Sequence, residues 1–438
     1  VDSVIASGKG KSCLLVYTDL ENFKYFNRKY GYAAGDQLLR EFTGYIIDTL
    51  KKRNTAHFTR VVADQFILFF EEKWNNGSIE AIKRINNGFI ERQQRKYPEA
   101  KLRLRTGVYK VEKDCDGASF AIDAANYARR QIQDNSPETV CVYDKTMADL
   151  QNMENEIAIG LDKAIKNKEF KIYLQPRFSL TTGKIVGAES LVRWQREDGT
   201  ILPPDSFIPV YEKNGRIIDL DFYMFEETVK LLANWKEQGI PQRLISINAS
   251  ALHAQNSDTV HRYTTILEKY GVDPALIELE LTETATVSDY DHVKQLFAKL
   301  QTVGFRTALD DFGAGYSILN TVIDIPVNTV KVDRAFISNC ETTHKGIYFL
   351  REIINLLKGL GYHIVCEGVE TPEQASILRN TMCDEVQGYW FSHPVPAHEF
   401  EKICHPAAGC KPNPKRLLRL CSNKNGQPTA TTENRCIF

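Results

Sequence analysis

Between residues 171 and 390, short β-branched or aliphatic runs alternate with stretches of helical periodicity, and nearly every run ends on an acid, an amide or a basic residue. This spacing predicts strands at 171–174, 184–192, 244–248, 276–281, 305–310, 328–332, 362–367 and 384–387, with helices such as 222–237, 289–303 and 344–360 between them. Eight strand–helix units over about 230 residues suit a TIM-like (β/α)8 barrel, whose strand ends bring polar groups to one rim. The motifs at those ends are YLQP (173–176), AESLVRW (188–194), SINAS (246–250), ELTET (280–284), LDDFGAGYS (309–317), VKVD (330–333), CEGVE (366–370) and QGYWFS (387–392).

The first third is patterned differently. Strand-like runs at 13–18, 57–62, 66–70, 102–109 and 139–143, with helical patterns near 34–52, 78–95 and 118–133, predict a mixed α/β unit. The segment VVADQF at 61–66 joins two of the runs as a hairpin, although its residues are poor turn formers. Met147, Leu150, Met153, Ile157, Leu161 and Ile165 recur at intervals of three and four, which predicts one core-facing helix. The expected organisation is a first domain at 1–144, a linker helix at 145–168, a barrel at 169–402 and a poorly ordered polar tail at 403–438. Residue 1 is Val, so the chain reads as a fragment or a processed product.

Composition narrows the picture. The 438 residues are 43% hydrophobic and 25% charged with a formal net charge of -1, an ordinary globular balance. No global field draws this chain to polymeric nucleic acid or to an anionic membrane, so an anionic ligand must be met by local cations, metal ions or backbone dipoles. No apolar run approaches the roughly 18 residues of a membrane helix. The ten cysteines form no CxxC pair and no common zinc pattern, and they read as reduced thiols of a cytoplasmic protein.

Closed into a barrel, the strand ends bring Glu189, Glu280, Asp310, Asp311 and Glu367 to one mouth, together with the Asn248 amide. Two carboxylates about 4 Å apart repel by roughly 4 kcal/mol at an effective dielectric near 20. Several such pairs rival the whole stability of a domain, roughly 5–15 kcal/mol. Cations or protons must therefore neutralise the cluster, and an all-oxygen donor set favours Mg²⁺ or Mn²⁺ over zinc. Adjacent strand residues point to opposite faces, so Asp310 and Asp311 reach one site only through a turn, which Gly313 and Gly315 permit. Two ions so held can clamp the attacking and leaving oxygens of a phosphodiester. Lys331 also ends a strand, where its ammonium can hold water or offset phosphate charge. Arg193 lies four residues after Glu189 on the same strand face, and its planar donors suit a phosphate or a guanine edge. Taken singly, these residues have ordinary structural readings as helix caps, ion-pair partners or turn residues. Their common register on successive strands carries the functional one.

Every motif, in order, resembles the EAL family of cyclic di-GMP phosphodiesterases. The resemblance implies a modified TIM barrel and hydrolysis of cyclic di-GMP to linear pGpG with two Mg²⁺ or Mn²⁺ ions. By position, Glu189, Asn248, Glu280 and Asp310 would be first-metal ligands. Asp311 would bind the second metal and Asp310 would bridge. Glu367 would serve the second metal or act as a base. Lys331 would hold the nucleophilic water with Gln387 near it, and Gln175 and Arg193 would touch substrate. Glu283 and Glu370 would support the DDFG loop, which the family also uses for dimer coupling, so a homodimer is expected. The name motif reads ESL here, with Ser190 pointing away from the site, and Ala314 and Arg177 are further departures. A receptor that binds cyclic di-GMP without cutting it is the alternative, although such relatives usually lose metal ligands.

Residues 12–144 resemble a GGDEF diguanylate cyclase domain, a palm-like α/β fold, through TDLENFKYFNRKYGYAAGD at 18–36. Asp19 matches a metal ligand, and Asn27 and Asp36 match guanine contacts. The signature turn is degraded to VADQF at 62–66, with Val62 and Ala63 in place of glycines and Gln65 in place of an acid. A β-branched residue resists the backbone that glycine allows there, which argues against cyclase activity. Two readings of this domain stay open: a remnant used for dimer contacts, or a GTP-binding regulatory module.

Overall fold

The computed structural model describes residues 13–50, 56–70, 76–112, 115–133, 136–313, 324–340 and 343–404. Gly315, Ala314 and nearly all of the tail at 403–438 lie outside them. The chain divides into two compact units between Glu156 and Ile157.

In the first unit, strands β1 (Leu14–Glu21), β2 (Ala56–Val62), β3 (Gln65–Phe70), β4 (Arg103–Lys110) and β5 (Val140–Val142) form one sheet in the order β2-β3-β1-β4-β5. Helices α1 (Phe23–Tyr30), α2 (Tyr32–Leu50), α3 (Asn76–Lys96) and α4 (Ala118–Arg130) accompany it. The period of two along β1 divides the core. Leu14, Val16 and Leu20 join a cluster with Phe26, Phe42 and Phe89, whereas Leu15 and Tyr17 join Phe69, Tyr109 and Ala124. Helix α4 presses on β4 at Gly107, where a Cβ would stand 1.8 Å from the Ala125 carbonyl oxygen. β2 and β3 pair antiparallel as a hairpin, and Ala63 takes φ 48° at its turn. The short helix α1 is absent from the sequence reading. Its eight residues contain one buried side chain, Phe26, too few to show a period.

Helix α5 (Lys145–Lys166) follows. Its apolar stripe is not uniformly core-facing: Ile157 and Leu161 are fully buried, but Leu150 is 49% exposed.

The second unit is a barrel. β6 (Phe170–Ser179), β7 (Ile185–Gln195), β8 (Ile201–Leu202), β9 (Leu244–Asn248), β10 (Ile277–Thr282), β11 (Arg306–Phe312), β12 (Thr329–Val332), β13 (His363–Cys366), β14 (Glu385–Val386) and β15 (Val395–Pro396) form one sheet. Its order is β15-β6-β14-β13-β12-β11-β10-β9-β7-β8, and pairing of β6 with β7 closes it. Each of the eight expected strands has its counterpart, and helices Ile217–Glu237, Tyr290–Val303 and His344–Gly359 occupy the expected helical stretches. The expectation of eight equivalent strand–helix units is corrected at the start. β6 and β7 form an antiparallel pair with a tight turn between them, and β6 also runs antiparallel to β14. The N-terminal end of β6 therefore lies beside the C-terminal end of β7, with Lys171 opposite Arg193.

Among the described residues no helix is long and apolar enough to cross a membrane. The described cysteines are free thiols.

Candidate active site

Strand alternation sends one side chain in two into the barrel, and register sets their height. Glu189 on β7, Asn248 on β9, Glu280 on β10, Asp310 on β11 and Lys331 on β12 share a polar layer near the C-terminal ends, with Glu367 just past β13. At the centre is Lys331, with no exposed side-chain surface. Its Nζ stands 2.6 Å from Glu280 Oε2, 2.7 Å from Glu367 Oε1, 3.2 Å from Asp310 Oδ1 and 3.5 Å from Glu189 Oε2. Asn248 Nδ2 donates to Glu189 Oε1 at 2.8 Å, and Gln387 Nε2 donates to Glu189 Oε2 at 2.6 Å and to Gln175 Oε1 at 3.1 Å. Gln175 Nε2 donates in turn to the Ser392 carbonyl at 3.2 Å.

Asp311 reaches this rim by a device other than the glycine turn. β11 continues through Phe312, its pairing with β12 shifts between Leu309 and Phe312, and Asp311 takes a left-handed backbone at φ 57°. A bulge thus turns two consecutive acids toward one end of the strand. The Asp311 N–H donates to Asp310 Oδ1 at 2.9 Å. Glu283 Oε2 accepts the Gly313 N–H at 3.2 Å, which ties the segment after the bulge to β10. A Cβ on Gly313, at φ 94°, would fall 2.6 Å from the Phe336 ring. Glu370 pairs with Arg334 at 2.7 Å. Arg193 is half-buried at the rim, stacked over the Tyr173 ring at 5.6 Å, with Nη1 donating to the Val192 carbonyl. It makes no direct bond to the acids.

Four carboxylates share one ammonium, so the layer is short of positive charge. Burial pushes Glu280 well above the ordinary carboxylate range, and the Glu189 and Asp310 charges reinforce it against the pull of Lys331. Asp310 is raised for the same reasons. Burial, with its acidic neighbours, carries Asp311 to about 6 and Glu367 to about 8. Only Glu189 is lowered, because Lys331, Gln387 and Asn248 outweigh its burial. Glu280 Oε1 is buried without a hydrogen-bond partner.

These observations decide whether divalent cations suit the site. Among the described residues no group of three His, Cys, Asp or Glu side chains is arranged to hold an ion as it stands. Lys331 Nζ instead lies within 3.5 Å of one oxygen from each of four acids. The donors nevertheless fit in kind and charge: carboxylate and amide oxygens, an orphaned buried oxygen on Glu280, and an excess of negative charge that one ammonium cannot cancel.

A second polar layer lies beneath the first, and sequence reasoning missed it. Arg177 is fully buried; Nη1 donates to Glu278 Oε1 and Ser246 Oγ at 2.6 Å each, and Nε donates to Glu385 Oε2 at 2.9 Å. Thr329 Oγ1 donates to Glu278 Oε2 at 2.5 Å, and His363 Nε2 lies 2.7 Å from Glu385 Oε1. Burial raises Glu278, but Arg177, Thr329 and Arg306 overcome it and hold the carboxyl at about 2. A signal for this layer was present. Arg177, Ser246, Glu278, Thr329 and Glu385 each stand two residues from Gln175, Asn248, Glu280, Lys331 and Gln387, on the same strand faces. Barrel interiors normally carry branched apolar residues there.

In the first unit, Asp19 forms an ion pair with Arg129 Nη1 through Oδ2, and its Oδ1 has no hydrogen-bond partner. Arg129 belongs to α4 and its guanidinium also lies over the Tyr17 ring. Asn27 is half-buried on α1 with Oδ1 unpartnered, and Asp36 is exposed on α2. A Cβ on Gly35 would stand 1.8 Å from Asn27 Oδ1. The glycine leaves room for that amide.

The chain is 29% identical over 393 residues to signaling protein YkoW of Bacillus subtilis, covering 89% of this chain and 49% of the relative. It is 27% identical over 395 residues to cyclic di-GMP phosphodiesterase NbdA of Pseudomonas aeruginosa, covering 90% of this chain and 50% of the relative. The chain thus spans about half the length of these curated relatives. The solved structure of PaMucR phosphodiesterase in complex with c-di-GMP is 28% identical with a TM-score of 0.53, and the match covers 56% of this chain and 99% of that one. A family model for the diguanylate cyclase GGDEF domain matches residues 3–136, and one for the EAL domain matches residues 160–394, more than half of the chain. The chain belongs to the EAL domain family, with a GGDEF domain ahead of its EAL barrel.

Proposed function

We propose that this protein hydrolyses cyclic di-GMP to linear pGpG. The observation that carries the reading is the buried layer of four carboxylates around the single ammonium of Lys331. Glu189, Asn248, Glu280, Asp310, Asp311 and Glu367 would hold two Mg²⁺ or Mn²⁺ ions. Such ions neutralise phosphate charge and acidify water when bound. Lys331 orients the attacking water. Gln387 fixes Glu189 and lies beside that water. Glu367 serves as a cation ligand or accepts the water's proton. Gln175 and Arg193 hold the dinucleotide at the rim, where the Arg193 guanidinium suits a guanine edge or a phosphate. The water oxygen forms a new bond to phosphorus as the in-line P–O3′ bond breaks, the departing 3′ oxygen takes a proton from solvent to become a hydroxyl, and the ring opens without a covalent enzyme intermediate. Glu283 and Glu370 keep the segment after Asp311 in place.

Chromatography of the products formed from cyclic di-GMP with Mn²⁺ tests this. Wild type yields pGpG, and Glu189→Ala loses more than the roughly 10–100-fold that removal of an outer-shell metal partner costs. Equal yields remove the assigned site. Tight binding with no pGpG makes the protein a receptor.

For the first unit, the Asp19–Arg129 pair favours a site that holds its own cation. Calorimetric titration with GTP is expected to give no heat that depends on Mg²⁺. A Mg²⁺-dependent isotherm would restore the regulatory nucleotide site that Asn27 and Asp36 suggest.

A further inference from the structure

We propose that Arg177 is a positioning residue of the cation site, acting from the buried layer beneath it through Glu280. The inference rests on the functional reading above. Arg177, one of the departures from the family pattern, stands two residues after Gln175 and is fully buried.

The guanidinium is shared among three acids on three strands. It bonds Glu278 and Glu385 directly, and Nη1 stands 3.9 Å from Glu280 Oε1. Glu280 is therefore held between two cations. Lys331 Nζ takes Oε2 at 2.6 Å, while Oε1, which has no hydrogen-bond partner, faces the Arg177 charge. A carboxylate pulled from both sides keeps its plane fixed and its second oxygen apart from the ammonium. Without Arg177, nothing opposes rotation of both oxygens onto Lys331, and Glu280 leaves the donor set.

Gly187 is the register partner of Arg177 on β7, and a Cβ there would meet Arg177 Nε at an ordinary contact distance of 3.6 Å, the tight approach being the Leu244 carbonyl oxygen at 2.7 Å. Ser246, Glu278 and Glu385 accept from Nη1 and Nε, Thr329 and His363 hold those two acids in turn, and Nη2 is left without a hydrogen-bond partner. A guanidinium presents its donors in a rigid planar fork, so it bonds Glu278 and Glu385 in fixed directions, which a single rotatable ammonium does less well. Second-layer groups that orient metal ligands typically change metal affinity or activity about 10–100-fold.

Loss of Arg177 alone strands Glu278 and Glu385 as buried charges, so a stability defect would hide a positioning one. The test separates them. Mn²⁺ affinity of the full chain is measured from the free-ion electron paramagnetic resonance signal, with thermal melting alongside, for wild type, Arg177→Met, Arg177→Lys and the double variant Arg177→Met with Glu278→Gln. The double variant removes one charge of each sign. It should regain most of the melting temperature lost by Arg177→Met and still bind Mn²⁺ about 10-fold or more weakly. Arg177→Lys should recover part of the affinity lost in Arg177→Met, and this arm decides the matter if the double variant fails to fold. A double variant that binds Mn²⁺ as wild type does, or a lysine variant with no recovery, overturns the proposal. Absence of Mn²⁺ binding in wild type overturns the functional reading itself, and the inference with it.

Discussion

Lys331→Met should destabilise the protein by about 3–5 kcal/mol in EDTA at neutral pH, the cost of stripping the partner from a buried charge, the Glu189 carboxylate that Lys331 helps to keep ionised. Lys331 is the cation nearest the layer: Glu189, Glu280, Asp310 and Glu367 all stand within 3.5 Å of its ammonium, whereas Arg177 lies 3.9 Å from Glu280 alone. Methionine matches the length of the lysine stem and fills the same space, so the loss is electrostatic rather than a cavity. Excess Mn²⁺ should then recover much of the stability, since a ligand at 100 times its dissociation constant stabilises by about 2.7 kcal/mol. Hydrolysis of cyclic di-GMP should stay low even with Mn²⁺, because the ammonium also places the water. Urea unfolding with EDTA and with Mn²⁺ measures the first two effects. A variant as stable as wild type in EDTA would mean that Lys331 does not hold Glu189 ionised.

The second large effect is a pH dependence that divalent cations abolish. Burial raises Glu280 and Asp310, and carries Asp311 to about 6 and Glu367 to about 8. A carboxyl raised in the folded state binds its proton more tightly there than in the unfolded chain. Its favourable contribution is complete below the unfolded pKa, near 4, and is lost as pH rises through the folded value. Metal-free protein should therefore lose stability between about pH 4 and pH 8, by about 1.4 kcal/mol per pH unit for each proton by which folded and unfolded states differ. With saturating Mg²⁺ the same acids are ligands and not proton acceptors, so the curve should flatten. Denaturant midpoints across this range, with EDTA and with Mg²⁺, supply the measurement. Stability that rises with pH in EDTA would contradict the raised values.

Much of the barrel was legible because its strands carry two independent signals. Apolar runs gave their positions, and the polar residue ending each run gave their common direction. The antiparallel start of the barrel was not legible, since period two reads the same in either strand direction. Asp311 shows a finer limit. The sequence demanded some device to bring adjacent acids to one rim, and the glycines suggested a turn, but the left-handed backbone falls on Asp311 itself. The lower layer was hidden differently. Arg177 and Glu278 each read as an isolated charge until register places them face to face, 101 positions apart in sequence. Arg129 opposite Asp19 is a longer-range case of the same kind, at 110 positions.

The reversed direction of β6 has a geometric consequence. In an all-parallel barrel the chain enters each strand at the end remote from the mouth. Here it enters at Phe170, on the mouth side, and reaches Gln175 five residues later. That path is about 17 Å of extended backbone at 3.3 Å per residue. The Gln175–Gln387–Glu189 linkage therefore stands one short stretch of paired strand from the point where the chain enters the barrel.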